Sequence, residues 1–157
     1  MRLSSLRFLV PLAALTVLFA ACTSARHVPP AAMDPKHGKE LWLAVSPLSG
    51  TGGASANGVL QAHFFADGTY LQVVGLNIAP APADSSYVAW LVRTAPPDRV
   101  KMGTLGSILH DARHQLQFVS QQDLRDHDKV EVMLVPSGKA DAMGKLVATG
   151  HVKAVVR

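Results

Sequence analysis

From residue 40 onward, apolar side chains recur at every second position in short runs broken by Gly, Pro, Asn and Asp. A period of two is that of a strand with one face buried, because successive side chains point to opposite faces. In 59–65, Leu60, Ala62 and Phe64 take one face while Gln61 and His63 take the other. Asp67-Gly68 then separates this run from 69–76, and Asp-Gly between alternating runs predicts a β-hairpin over 59–76. A first strand is predicted over 41–45, stopped by Pro47 and the Gly-rich stretch 49–58. Pro80 and Pro82 make 77–85 a loop. The run 86–92 is apolar on both faces, as in a central sandwich strand, and Pro96-Pro97-Asp98 follows it. Further strands are predicted over 100–108, weakened by Gly103 and Gly106, and over 115–119, with Leu116 and Phe118 inward. The polar stretch 121–129 reads as a loop or one helical turn. The strand 130–135 is closed by Pro136-Ser137-Gly138, and 147–156 carries a bulge expected at Gly150.

About eight short strands without an amphipathic helix predict an all-β fold, an Ig-like antiparallel β-sandwich or small barrel over 40–157. Tyr87, Trp90, Leu91, Phe64, Phe118, Val132 and Leu134 are its expected core.

The first forty residues follow a different pattern. Arg2 and Arg7 flank the start of an apolar run over 8–21, which is interrupted by Pro11 and is short for a membrane span of ~20 residues. Small residues Ala20 and Ala21 then precede Cys22, the only cysteine of the chain. A basic start, an apolar middle and small residues before a cut are the order of an export signal. With cysteine at the cut, the segment resembles the lipobox of bacterial lipoproteins. That resemblance implies removal of 1–21, lipidation of Cys22 and attachment to a membrane. Thr23, in place of aspartate, implies the outer membrane by resemblance to Gram-negative sorting. The alternative is an ordinary secretory signal and a free thiol, since a single cysteine has no intrachain partner. The stretch 22–39 holds Pro29, Pro30 and Pro35 without an apolar period and reads as a tether, with a fully extended reach of roughly 55 Å.

Charge narrows the partners. The chain carries 15 Lys and Arg against 11 Asp and Glu, and Arg2 and Arg7 belong to the signal, so the mature chain is only weakly basic. No dense basic cluster remains to make many phosphate contacts, which argues against a nucleic-acid partner.

Two stretches of the domain carry a family likeness. Tyr87-Val88-Ala89-Trp90-Leu91-Val92 with Gly103-Thr104-Leu105, and Val130-Glu131-Val132-Met133-Leu134-Val135-Pro136-Ser137-Gly138 with Gly144-Lys145-Leu146-Val147, resemble the extracytoplasmic domain of anti-sigma-K factors. The resemblance spans roughly 41–156 and rests on core and turn positions. It implies a β-sandwich on the outer side of a membrane, as a sensing or protein-binding module. The chain lacks that family's sigma-binding helical domain, its transmembrane helix and the His-x3-Cys-x2-Cys zinc motif, so sigma inhibition is not implied.

The candidate chemistry is sparse. His110 and His114 stand at i and i+4, a spacing that binds a metal on a helix. Here 109–114 lies between strands, and in a loop that spacing fixes no geometry. His127 sits in Arg125-Asp126-His127-Asp128 and reads as part of a solvated charge run. His63 and His151 fall on outward strand positions. Met33, Met102, Met133 and Met143 are scattered, as core-filling methionines are. Ser137 lacks the Gly-x-Ser-x-Gly frame of a nucleophile elbow, and the Gly-rich stretch precedes a strand rather than the helix of a phosphate loop. These observations favour a non-enzymatic, cofactor-free, envelope-anchored binding protein with a protein partner. Its expected contact regions are 49–58 and 77–85, including Asn57, Asn77 and Asp84. The alternatives are copper or zinc binding through His110, His114, His127 or His151, and, behind it, a hydrolase.

Overall fold

A computed structural model describes residues 31–107, 111–139 and 144–156. The expected signal over 1–21, Cys22 and His110 lie outside the described residues. The described chain is all-β and antiparallel, without a helix: β1 (Met33–Asp34), β2 (Gly38–Gly50), β3 (Asn57–Phe65), β4 (Tyr70–Asn77), β5 (Ser85–Arg93), β6 (Asp98–Thr104), β7 (Gly106–Ser107), β8 (Arg113–Ser120), β9 (Lys129–Pro136) and β10 (Lys145–His151). The sheet order is β6-β5-β9-β10-β2-β3-β4-β8-β7, with β1 added to β2. β6 and β7 are separated only by Leu105, so one extended segment pairs with β5 at its start and with β8 at its end. The sheet therefore curls round to nearly close on itself, giving a barrel-like sandwich with a shared interior.

The interior follows the predicted period of two. Leu60, Ala62, Val74, Leu76, Ala89, Leu91, Val130 and Val132 are buried in one cluster, with Phe64, Leu116, Phe118 and Leu134 packed against it. The hairpin 59–76 forms with residues 66–69 as its connection. The Gly68 N–H donates to Phe65 O at 3.1 Å and Gly68 takes φ 84°, a left-handed position that suits glycine. The connection is thus longer than a two-residue turn.

Several expectations need correction. The tether is shorter than 22–39, because β1 pairs with β2 through Met33↔Lys39 and Asp34↔Gly38. β2 runs through Pro47, where a ladder bond is not lost: β10 pairs with β2 only at Ser49 and Gly50, and the next backbone pairing on that edge is the Ala44–Ala154 bridge. The β10 bulge falls between Leu146 and Ala148, not at Gly150. A Cβ at Gly150 would come within 2.5 Å of Pro47 O, so glycine there answers a close approach of two backbones. Trp90 is not in the main core. Residues 87, 89 and 91 of β5 face inward, which turns Val88 and Trp90 outward, where they pack with Met133, Val135 and Leu146. The Arg99 guanidinium lies 4.9 Å from the Trp90 ring centroid, so the indole is covered by a cation rather than by core.

The two faces of β3 should respond differently to truncation. Leu60→Ala, in the interior, is expected to cost about 3 kcal/mol in urea unfolding, whereas Val59→Ala on the outer face is expected to cost about 1 kcal/mol or less.

Candidate functional site

Strand direction sorts the connections into two ends. The chain enters beside Ala32, whose carbonyl accepts the Glu40 N–H at 2.8 Å. This entry end also carries the turn at Asp67-Gly68, the β5–β6 turn at 94–97 and the β8–β9 loop at 121–128. The opposite, distal end carries the loops 51–56, 78–84 and 137–139. The expected contact regions therefore lie at the end remote from chain entry.

The entry end is a network of charges. The Arg93 guanidinium contacts both Asp98 and Asp126. The Thr94 hydroxyl and N–H donate to the Asp128 carboxylate at 2.8 and 2.9 Å. His127 is 2 % exposed, with Nδ1 2.8 Å from Asp126 Oδ1 and Nε2 3.4 Å from Asp98 Oδ2. The solvated reading of His127 is thus overturned: the strands on either side fold its loop back, and the ring is packed between two carboxylates. The Arg93 hydrogen bond holds the Asp126 carboxyl below the usual range, with a further contribution from His127. Nearby, Glu40 is 2 % exposed and its Oε1 lies 2.8 Å from His63 Nδ1, while His37 Nδ1 lies 2.8 Å from Asp67 Oδ2. These pairs pin the β1–β2 hairpin to β3 and to the β3–β4 turn.

Among the described residues, the histidines named from sequence do not converge. His114 lies on β8, not in a loop, and is buried. Its Nδ1 is 3.0 Å from Ala112 O, and its ring meets Tyr87 edge-on at 5.2 Å. His63 is paired across the sheet with Leu43 and Leu71, while His151 pairs with Lys129 on β9. Among the described residues, no group of three or more His, Cys, Asp or Glu is arranged to hold a metal ion.

Asn57 and Asn77 do come together. They are cross-strand partners on β3 and β4, and Asn77 is in turn opposite Arg113 on β8. Asp84 stands apart, in the β4–β5 loop, where its carbonyl accepts the Ser137 N–H at 2.8 Å. The asparagines open the distal edge of a four-strand outer face. In register its rows are Ser49-Asn57-Asn77-Arg113, Pro47-Val59-Gly75-Gln115, Val45-Gln61-Val73-Gln117 and Leu43-His63-Leu71-Val119. No position in these rows is acidic; Arg113 pairs with Asp111, which stands outside them, and His63 Nδ1 lies 2.8 Å from Glu40 Oε1. Val45, Val59 and Val119 are 44 %, 53 % and 50 % exposed. A solvated sheet face normally alternates to charged or small polar residues. This one is built from β-branched and leucine side chains interleaved with amides. The outer face of the other half carries Arg99, Lys129 and Glu131 in ion pairs instead.

Within the neutral face lies a groove of about 470 Å³, bordered by Asn57, Val59, Gly75, Asn77, Arg113 and Gln115. Its floor is open because Gly75 has no side chain between Val59 and Gln115. Sequence reading found Asn57 and Asn77 through their loops. It missed the face they belong to, because the pairing of β2, β3, β4 and β8 brings together side chains as far apart in the chain as Leu43 and Val119. The signal that was present is the outward set of β3 and β8, Gln61, Gln115 and Gln117, where Asp, Glu or Lys is the commoner solvent-facing choice.

The ion network at the entry end makes a pH-dependent contribution. A carboxyl held below its unfolded value, ~3.9, adds stability above that pH and loses it as pH falls through the folded value. Arg93→Ala should therefore reduce stability at pH 7 and narrow the gap in urea midpoint between pH 7 and pH 3; an unchanged gap would exclude this assignment. His127→Ala should cost about 2 kcal/mol or more, where a solvated histidine would cost almost nothing. Compared with known proteins, the chain matches no family model, no curated protein and no solved structure, so the reading of its function rests on this geometry and on the sequence.

Proposed function

We propose that this protein is a lipid-anchored envelope protein whose β-sandwich works by binding rather than by catalysis, and that the neutral outer face of β2, β3, β4 and β8 is its contact surface. The observation that carries the reading is that face: contiguous rows of exposed valine and amide side chains, without acidic residues, reaching the distal end at Asn57 and Asn77. Exposed apolar surface bordered by polar groups is characteristic of interaction sites.

The anchor rests on the lipobox-like segment ending at Cys22. With more than one acyl chain on that residue, attachment is stable rather than reversible. The outer membrane is the favoured site, from Thr23. Chain entry and the contact loops stand at opposite ends of the domain, an arrangement that suits a tethered module presenting its distal end away from the lipid. The resemblance to the extracytoplasmic domain of anti-sigma-K factors supports the same picture of a sensing or protein-binding sandwich outside a membrane.

Intact mass measurement of membrane-fraction protein tests the anchor. Loss of residues 1–21 and added acyl mass on Cys22 are expected, with Cys22→Ser abolishing both the acyl mass and membrane retention. An unmodified thiol on soluble exported protein would overturn it.

A further inference from the structure

We propose that the occupant of the neutral face is a second copy of this chain, docked about a two-fold axis with Val59 of each copy seated over Gly75 of the other. This inference rests on the reading of that face as the contact surface and names its partner.

Gly75 is the starting point. It sits in the interior of β4, where glycine weakens a strand relative to a residue with a side chain. Its φ is not in the left-handed region, so backbone conformation does not require it. Nor does packing within the described chain: a Cβ at Gly75 would meet only Val59 O, at 3.8 Å, which is ordinary contact. Gly58, on the neighbouring strand, is a contrast, because a Cβ there would lie 2.1 Å from Gly75 O. A strand glycine with no internal reason leaves room for a group from outside.

The shape of that group is set by what stands beside the gap. Val59 is the direct cross-strand partner of Gly75 and is 53 % exposed, so a projection and a notch are adjacent on one face. A two-fold axis passing between them places each projection over the other copy's notch, which is the self-complementarity an isologous interface needs. The chemistry is self-complementary as well. Each amide of Gln61, Gln115 and Gln117 both donates and accepts, so it can pair with its own kind. A face bearing one sign of unpaired charge would repel its copy, and the arginine of these rows, Arg113, is neutralised by its ion pair with Asp111. Two such sheets pack face to face at ~10 Å with their side chains interdigitated.

Size sets the strength. Four strands at ~4.8 Å spacing and four rows along them cover about 500 Å² per copy, or about 1,000 Å² for two. That is just below the range of stable dimers, so a weak association is expected, with a dissociation constant of roughly 10 µM to 1 mM. Confinement of an anchored chain to a membrane raises its effective concentration and favours such contacts.

The test places a photo-cross-linking residue at position 61 of the full-length chain, in the membranes of cells that produce it. A covalent adduct of twice the chain's mass is expected, and a probe at Thr94, at the entry end, should give none. In the position-61 background, Gly75→Val should cut the adduct at least about fivefold while leaving Tm unchanged or raised, because the notch is filled and the strand gains a β-branched residue. Val59→Lys should cut it similarly with little change in Tm. A lowered Tm for Gly75→Val would show that the glycine serves the fold and would overturn the inference. An adduct with a different protein would overturn self-association while leaving the face as a binding surface. The absence of any adduct at position 61 would overturn both.

Discussion

The structure depends on one segment being shared between two neighbours. β6 leaves β5, passes Leu105 and becomes β7 against β8, and the Leu105 N–H is held by Tyr87 O at 2.8 Å on the way. This crossing joins the two ends of the strand order, and it makes the parity of every strand a matter for all the others. In a nearly closed sheet a one-residue slip would turn a strand's buried set outward. The irregularities between Glu40 and Trp42, Ala89 and Trp90, and Leu146 and Ala148 add or remove a residue locally, so each strand can bend without losing its inward face.

Parity then divides the surface into unlike halves. On β5 and β9 the outward positions are Val88, Trp90, Glu131 and Met133, closed over by the Arg99 guanidinium and the ion pairs of Glu131. On β2, β3, β4 and β8 the outward positions are left as valine, leucine and amide. A network of charges stands at the entry end, where Arg93, Asp98, Asp126, His127 and Asp128 tie two connections together. His127 Nδ1 is answered by Asp126, its buried Nε2 makes no hydrogen bond among the described residues and lies 3.4 Å from Asp98 Oδ2, and Arg93 contacts both aspartates. The network serves to hold the loop 121–128, whose Leu124 reaches the core.

Under the proposed reading, attachment and contact fall at separate places on this domain. Its entry end is held by ion pairs and by the hairpin of β1 and β2, and the arginine of its neutral face, Arg113, is paired with Asp111. Recognition on such a face comes from shape and from amide hydrogen bonds rather than from electrostatic steering, which is consistent with a short-range, low-affinity contact made by molecules already held close together.

The sequence by itself determined the class of fold, the hairpin through Asp67-Gly68 and the inward set Leu60, Phe64, Tyr87, Leu91, Phe118 and Val132, because these follow from a local period of two and from local turn chemistry. It also carries the segment ending at Cys22 on which the proposed export signal and anchor rest. Tertiary structure alone decided which strands are neighbours. That is why Trp90 moved from expected core to an outer patch, why His127 became buried, and why Asn57, Asn77 and Arg113 came to share a row. Each of these outcomes depends on pairings between segments far apart in the chain, and alternation along one strand says which side chains share a face but not what stands on the strand beside it.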